Sequence, residues 1–192
     1  MKNKGLWIII AVVAAIVVWI FSSYNGMITM EESVNSAWSQ VENQYQRRMD
    51  LVPNLVNTVK GYAAHEEGTL TAVVEARAKT TNLTVDINDA ESLAKYQESQ
   101  GELSKAMSRL MMITENYPDL KANQNFLQLQ AQLEGTENRI STERKRFNEA
   151  VQSFNTKIRR FPNSLIAGIF GFAQKPYFEA DQAASVAPTV NF

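Results

Sequence analysis

Residues 117–162 read YPDLKANQNFLQLQAQLEGTENRISTERKRFNEAVQSFNTKIRRFP. Six apolar residues recur in them at seven-residue intervals: Phe126, Leu133, Ile140, Phe147, Phe154 and Phe161. Because seven residues make two turns of an α-helix, these side chains form one apolar stripe, while polar residues occupy the opposite face. Pro118 suits a first helical turn, and Pro162 ends the run. The pattern predicts a helix on the order of 60 Å long that must bury its stripe.

Two other segments carry similar stripes. In residues 27–64 the repeat is Trp38, Tyr45, Val52 and Val59, and in residues 90–117 it is Tyr96, Leu103, Leu110 and Tyr117. A shorter helix is predicted over 69–79, followed by a polar loop over 80–89. Long helices joined by short polar loops pack antiparallel. The sequence therefore predicts an all-α protein in which residues 27–162 form an elongated antiparallel four-helix bundle.

The composition of the 192 residues argues against several functions. There are no cysteines, which excludes disulfides, thiol nucleophiles and cysteine-based zinc sites. The single histidine, His65, excludes an HExxH metalloprotease motif and a histidine-rich metal site. The formal net charge of −1 argues against a nucleic-acid partner, which requires a basic surface. We expect no cofactor, no metal and no small-molecule substrate.

The N-terminal residues 6–21, LWIIIAVVAAIVVWIF, are apolar throughout. With their uncharged neighbours they approach the roughly 20 residues that cross a bilayer core of about 30 Å. The predicted membrane-anchoring residues are Trp7, Ile8, Val12, Ile16, Trp19 and Phe21. The alternative is a cleaved signal peptide, but no pair of small residues at cleavage spacing follows the apolar run. Residues 1–26 are therefore predicted to be an uncleaved anchor that passes once through a membrane.

The charges around this span predict its orientation. Lys2 and Lys4 precede it, and the next basic residue is Arg47. By the positive-inside rule, the N-terminus then stays in the cytoplasm and the bundle lies on the extracytoplasmic side.

Arg48 occupies a position of the repeat in residues 27–64 that is otherwise apolar, and two interpretations are open. In the first, its aliphatic stem packs while the guanidinium reaches solvent at the edge of the stripe. In the second, it forms a buried ion pair with a glutamate of residues 117–162, either Glu134 or Glu137. Such a pair would fix the register of the two helices.

The composition changes after Pro162. Residues 163–179 concentrate apolar side chains around Gly168 and Gly171, and the stretch is too short to cross a bilayer. Because an even number of helices returns the chain to the membrane, this segment either caps the bundle or dips into the lipid interface. Residues 180–192 lack helical periodicity and are predicted to be a flexible tail.

A polar flank and the apolar C-terminal segment are candidate interaction surfaces. The candidate residues are Glu134, Glu137, Arg139, Arg144, Leu165, Ile169, Phe170 and Phe172. Glu134 and Glu137 share the spacing of the Glu-x-x-His element in di-metal bundles, but no histidine accompanies them. His65 beside Glu66 is more typical of a helix junction than of acid–base catalysis. An enzyme is therefore the less favoured hypothesis.

Several strings carry a family resemblance. They are DLVPNLV at 50–56, YPDLKANQNFLQLQAQLEGTENRI at 117–140, RFNEAVQSFNTKIRRFP at 146–162 and FGF at 170–172. The chain resembles, over nearly its whole length, the LemA family of bacterial membrane-anchored helical proteins. The family often has Tyr-Asn where this chain has Phe147-Asn148 and Phe154-Asn155, a change that preserves packing.

The resemblance implies an elongated helical bundle on a single anchor in the bacterial inner membrane. It supplies no active site, because the family has no established molecular activity. It also implies a bundle that faces the cytoplasm, opposite to the orientation that the charges predict. Relatives are linked to membrane organisation and to membrane proteases encoded nearby.

Together these inferences predict a non-enzymatic, membrane-anchored scaffold or adapter. We expect it to self-associate as a homo-oligomer and to organise the lipid bilayer or other membrane proteins. The alternative is a membrane-shaping or lipid-binding module that uses residues 165–172.

Overall fold

The computed structural model describes residues 2–179, with side chains described from Lys4 onward. Six helices follow one another: α1 (Lys2–Lys60), α2 (Glu67–Thr81), α3 (Ala90–Thr114), α4 (Pro118–Lys121), α5 (Gln124–Arg159) and α6 (Asn163–Phe170). All regular secondary structure in this part of the chain is helical, which confirms the predicted all-α class with a long apolar N-terminal helix. The predicted tail, 180–192, lies outside the described residues.

Helix α1 is one unbroken helix of 59 residues, roughly 88 Å long. It carries the predicted membrane span at its N-terminal end and the first helix of the bundle beyond it. Pro53, which the sequence predicts to bend the helix or to remove one hydrogen bond, lies inside α1, and the helix continues to Lys60. No linker therefore separates the predicted anchor, residues 1–26, from the bundle.

Helix α5 packs antiparallel along α1 through its apolar stripe. Five of the six predicted stripe residues are buried: Phe126, Leu133, Ile140, Phe147 and Phe154. The sixth, Phe161, is 80% exposed, so its predicted place in the stripe is wrong. The helix ends at Arg159, and beyond a helix end the seven-residue spacing no longer keeps side chains on one face.

Helix α5 also begins later than the sequence predicts. The prediction is one helix over 117–162, whereas Pro118–Lys121 forms a separate turn and α5 starts after Asn123. The side-chain oxygen of Asn123 accepts hydrogen bonds from the backbone N–H groups of Asn125 (2.9 Å) and Phe126 (3.1 Å). A capping side chain of this kind satisfies donors that have no partner within the helix, and it therefore sets the start of α5.

Helices α2 and α3 pack against each other as a hairpin. Helix α2 lies against the half of α1 that is further from the predicted span, while the first turns of α3 reach Trp38 through Tyr96. The Thr80 hydroxyl donates to the backbone carbonyl of Ser99 (3.3 Å) and joins the end of α2 to α3. Arg77 of α2 donates through Nε to the backbone carbonyl of Met49 on α1 (2.9 Å). The hairpin shares one apolar core with α1 and α5, whose members include Leu55, Leu70, Leu103 and Leu133.

After α6 the chain turns at Gly171, whose φ of 76° lies in the left-handed region that favours glycine. Residues 171–179, named the strap, then run without regular secondary structure along the half of the bundle nearer the span. In the strap, Phe178 stacks on Trp38 of α1 (ring centroids 5.8 Å apart) and contacts Phe147 of α5 (5.4 Å).

The strap completes the bundle where α2 does not reach. Helices α1, α3 and α5 are long, but α2 has only 15 residues. Beside α1, α3 and α5, the half of the bundle further from the span therefore contains α2, and the nearer half contains the strap.

Three side-chain amides hold the strap in place. Each donates to the carbonyl and accepts from the N–H of one strap residue: Asn155 with Lys175, Asn148 with Phe178, and Gln97 with Glu179. The N–O distances are 2.9–3.2 Å. Each amide thus satisfies both backbone groups of a residue that has no neighbouring strand, which removes the cost of burying them unpaired.

Candidate membrane-facing surface and buried charge network

The predicted anchor residues lie on the N-terminal end of α1, and no other part of the described chain covers them. All six are exposed: Trp7, Ile8, Val12, Ile16, Trp19 and Phe21. A helix that is apolar on every side has no polar face to present to water. Its length and composition suit a bilayer, so residues 2–179 contain one candidate membrane-spanning helix.

Helix α6 packs against α1 directly beyond this candidate span. The Phe170 ring centroid lies 4.8 Å from that of Tyr24, and the Phe172 centroid lies 5.7 Å from it. Ile166 and Ala167 of α6 are buried against the bundle. One face of α6 therefore caps the bundle, which is one of the two alternatives for residues 163–179.

The remaining apolar side chains at this end of the bundle are uncovered. Leu165 and Ile169 are 61% and 78% exposed, and their four-residue spacing places them on one helix face. Phe170 and Phe161 are also exposed. These four residues are named the base patch. Large apolar side chains grouped at one end of a small domain indicate a surface that contacts protein or lipid.

Basic residues accompany the base patch. Residues 150–178 contain four basic residues and no acidic one: Lys157, Arg159, Arg160 and Lys175. Arg159 and Arg160 are exposed and directly precede Phe161, and the Lys157 side chain lies against Gly26 of α1. Among the ion pairs of residues 2–179, only Lys175 of the four has a carboxylate partner. Residues 150–178 are therefore positively charged, although the whole chain has a net charge of −1; the carboxylates at this end, Glu31 among them, lie on α1 and in the segment before α3.

Arg48 is buried, with 1% of its surface exposed, which contradicts the interpretation that its guanidinium reaches solvent. Nη1 donates to Oε2 of Glu137 (2.9 Å) and to Oγ of Ser104 (2.8 Å). Nη2 donates to the backbone carbonyl of Gln100 (3.2 Å) and to the side-chain oxygen of the same residue. The guanidinium carbon also lies 5.3 Å from the ring centroid of Tyr45. One arginine thus joins α1, α3 and α5.

The partner of Arg48 is Glu137 and not Glu134. The Glu134 side chain is exposed and accepts a hydrogen bond from Nε2 of Gln130 (3.0 Å). Three residues along a helix shift a side chain by about 4.5 Å along the axis, so only one of the two glutamates lies level with Arg48. The Glu137 side chain remains 53% exposed, which places the ion pair at the edge of the core.

Some of the candidate interaction residues already have partners within the chain. Glu137 binds Arg48, Arg144 donates to the backbone carbonyl of Glu179 in the strap (3.0 Å), and Phe172 is half-buried. The candidates that remain exposed are Glu134, Glu137, Arg139, Leu165, Ile169 and Phe170. Two of the polar candidates are therefore engaged within the chain, whereas Leu165, Ile169 and Phe170 of the base patch are uncovered.

Sequence reasoning misses a second buried cation, Lys175, which is 6% exposed. Its Nζ pairs with Oε1 of Glu31 (2.9 Å) and donates to Oδ1 of Asn88 (2.6 Å). No periodicity could find it, because it lies in the strap and not in a helix. Asn148 and Asn155 do leave a signal, since each follows a buried phenylalanine and the two are seven residues apart.

Burial of tyrosine hydroxyls predicts a loss of stability at high pH. Desolvation raises the pKa of Tyr96 to about 12, and it also raises the pKa of Tyr45. A tyrosine whose pKa is higher in the folded state stabilises the fold fully below pH 10.0, its ordinary pKa, and loses that contribution as the pH rises through the folded value.

We therefore expect the thermal midpoint of the full chain to be lower at about pH 11 than at about pH 9. The loss of the Tyr96 contribution should lower the free energy of unfolding by about 1 kcal/mol. Tyr96→Phe is the control, because it removes the hydroxyl and keeps the ring that contacts Trp38 and Tyr45. Circular dichroism melts at both pH values should show a smaller fall in this variant. Equal falls in the two proteins would contradict the prediction.

The described residues contain no group of three His, Cys, Asp or Glu side chains that could hold a metal ion. The Glu66 carboxylate, next to His65, accepts a hydrogen bond from the Tyr117 hydroxyl (3.1 Å). It thereby ties the turn after α1 to the end of α3.

Comparison with known proteins identifies relatives that this chain matches over about 70% of their length. The LemA family model matches residues 37–192. Magnetosome protein MamQ 2 of Paramagnetospirillum magneticum is 26% identical over 190 residues, which cover 89% of this chain and 70% of the relative. Protein LemA of Metamycoplasma hominis is 24% identical over 162 residues, which cover 84% of this chain and 71% of the relative. These matches confirm the resemblance read from the strings at 50–56 and 117–140: the chain belongs to the LemA family.

Proposed function

We propose that this protein is a non-enzymatic scaffold held in the bacterial inner membrane by the N-terminal part of α1. The observation that carries the proposal is the continuity of α1 from the candidate span into the bundle. A continuous helix fixes the angle between its two halves, since a swing would break its backbone hydrogen bonds. The bundle would then stand on the bilayer as a rod, about 54 Å from Tyr24 to Lys60.

Internal fixation of the rod supports the same function. Arg48 and Lys175 each join several elements, and the amides of Asn148 and Asn155 hold the strap. Surfaces on such a rod keep constant positions relative to one another and to the membrane. A single span also confines copies to two dimensions, which raises their effective concentration for self-association or for contact with other membrane proteins.

The proposal is tested by measuring the height and the stoichiometry of the full chain in vesicles. His65→Cys introduces a single thiol at the far end of the bundle, because the chain has no cysteine of its own. Energy transfer from a dye on this thiol to dyes on the lipid surface should give a height of about 54 Å. Single-molecule photobleaching of the same samples should show more than one copy per assembly as protein density rises.

The matched control is a Gly-Ser-Gly-Ser insertion after Gly26, which leaves both halves of α1 intact and breaks their continuity. It should broaden the distribution of heights. A height close to zero, as for a rod that lies flat on the bilayer, would contradict the scaffold proposal. Single bleaching steps at every protein density, which indicate monomers, would contradict it as well.

A second candidate function, lipid binding, is favoured by the base patch. Leu165 and Ile169 are exposed at the end of the bundle that adjoins the candidate span. A scaffold needs no such surface, whereas a module that acts on lipid does.

A further inference from the structure

We propose that the base of the bundle is a binding site for anionic phospholipid headgroups. In this site Lys157, Arg159 and Arg160 bind the lipid phosphates, and the base patch enters the boundary between headgroups and acyl chains. The proposal rests on the second candidate function and names its ligand.

The level of the bilayer surface follows from the length of the apolar run. Residues 6–21 extend about 24 Å as a helix, which is less than a hydrocarbon core of about 30 Å. The core therefore ends near Tyr24, one helical turn further on. The Phe170 ring lies against Tyr24, so the structure places the start of the base patch at the same level.

The shape of α6 suits a position in this boundary. Ile166 and Ala167 face the bundle, while Leu165 and Ile169 face away from it. A short helix with one face held by protein and one apolar face exposed inserts the exposed face to a shallow depth. Water is a poor environment for Ile169, which is 78% exposed.

The charges favour anionic lipid over neutral lipid. Three basic side chains at the base have no carboxylate partner within residues 2–179, and Lys175 neutralises Glu31 nearby. Each arginine or lysine held near an anionic membrane surface adds to the attraction, and the effect is screened by salt. The same face of a second copy offers no comparable complement, because it carries the same three basic side chains without carboxylate partners among the described residues.

The experiment measures how deeply position 169 enters lipid in the full chain. Ile169→Cys is labelled with an environment-sensitive fluorophore and reconstituted into phosphatidylcholine vesicles with or without phosphatidylglycerol. A spin label on the lipid, placed just below the headgroup, quenches fluorophores at that depth. Met112→Cys is the matched position, since Met112 is 65% exposed on α3, away from the base.

We expect quenching at position 169 and none at position 112. Phosphatidylglycerol should increase the quenching at 169, and added salt should reverse the increase. The variant Lys157→Gln/Arg159→Gln/Arg160→Gln should lose at least about half of that increase. The control Arg139→Gln/Lys145→Gln/Arg146→Gln removes the same charge from the middle of α5 and should keep it.

Three results would overturn the proposal. Quenching at 169 no greater than at 112 would show that the base patch does not touch lipid. If neither phosphatidylglycerol nor the triple variant changes the quenching at 169, the base patch touches lipid but the basic residues do not bind anionic headgroups. A disulfide between two copies of Ile169→Cys without quenching would assign the patch to a protein contact. The height and stoichiometry of the rod are measured separately, so the scaffold can stand or fail on its own.

Discussion

Phe147→Ala is expected to lower the free energy of unfolding by about 3–5 kcal/mol. Phe147 is fully buried, and its ring centroid lies 5.8 Å from that of Trp38 and 5.4 Å from that of Phe178. Removing the ring leaves a cavity between α1, α5 and the strap that the surrounding helices cannot close. The thermal midpoint of the full chain in detergent micelles should fall on the order of 10 °C.

Phe161→Ala is the matched control for this substitution. It removes the same side chain at a position fourteen residues (two repeats) further along the sequence, where the ring is 80% exposed. The expected change is within about 0.5 kcal/mol, because an exposed side chain loses little packing. Equal losses of stability in Phe147→Ala and Phe161→Ala would show that the two rings occupy similar environments, against the fold described above.

Glu137→Gln is expected to cost about 1–3 kcal/mol, because it leaves the buried Arg48 guanidinium without its only carboxylate among the described residues. The loss is limited by two facts. The Glu137 side chain is half exposed, and Arg48 keeps its hydrogen bonds to Ser104 and Gln100. Urea denaturation of the full chain measures the effect.

A double-mutant cycle separates this ion pair from unspecific effects of charge. In an Arg48→Met background the same Glu137→Gln change should cost close to nothing, since no buried charge remains to be compensated. Glu134→Gln makes the same chemical change one turn away and should be additive with Arg48→Met. Coupling of Arg48 to Glu134 that equals its coupling to Glu137 would reject the assigned pair.

The helical repeats explain why so much of the bundle could be predicted. Each repeat is a local property: Trp38, Tyr45 and Val52 lie on one face of α1 whatever surrounds the helix. The predicted ends of helices were less accurate. The side chain of Asn123 starts α5 and the chain turns after Arg159, and neither event changes the spacing of apolar residues.

The candidate sites were less accessible to sequence reasoning, because they depend on contacts between distant residues. The place of Arg48 in an apolar repeat predicts an unusual environment, but its neighbours Ser104 and Gln100 lie on another helix and cannot be found from the repeat. Composition singles out Leu165, Ile169 and Phe170, but the seven-residue repeat predicts Phe161 in the stripe, and nothing in the sequence connects the basic residues with this patch.

Residue order is sufficient for the all-α class, the apolar N-terminal helix and the faces that the long helices bury, because periodicity and length act within one segment. Three features needed the packed chain: the selection of Glu137 over Glu134, the packing of the strap on Trp38, and the contact of Phe170 with Tyr24. Each depends on which side chains come level when helices align. That alignment is set by the burial of all the stripes at once, so no single segment contains it.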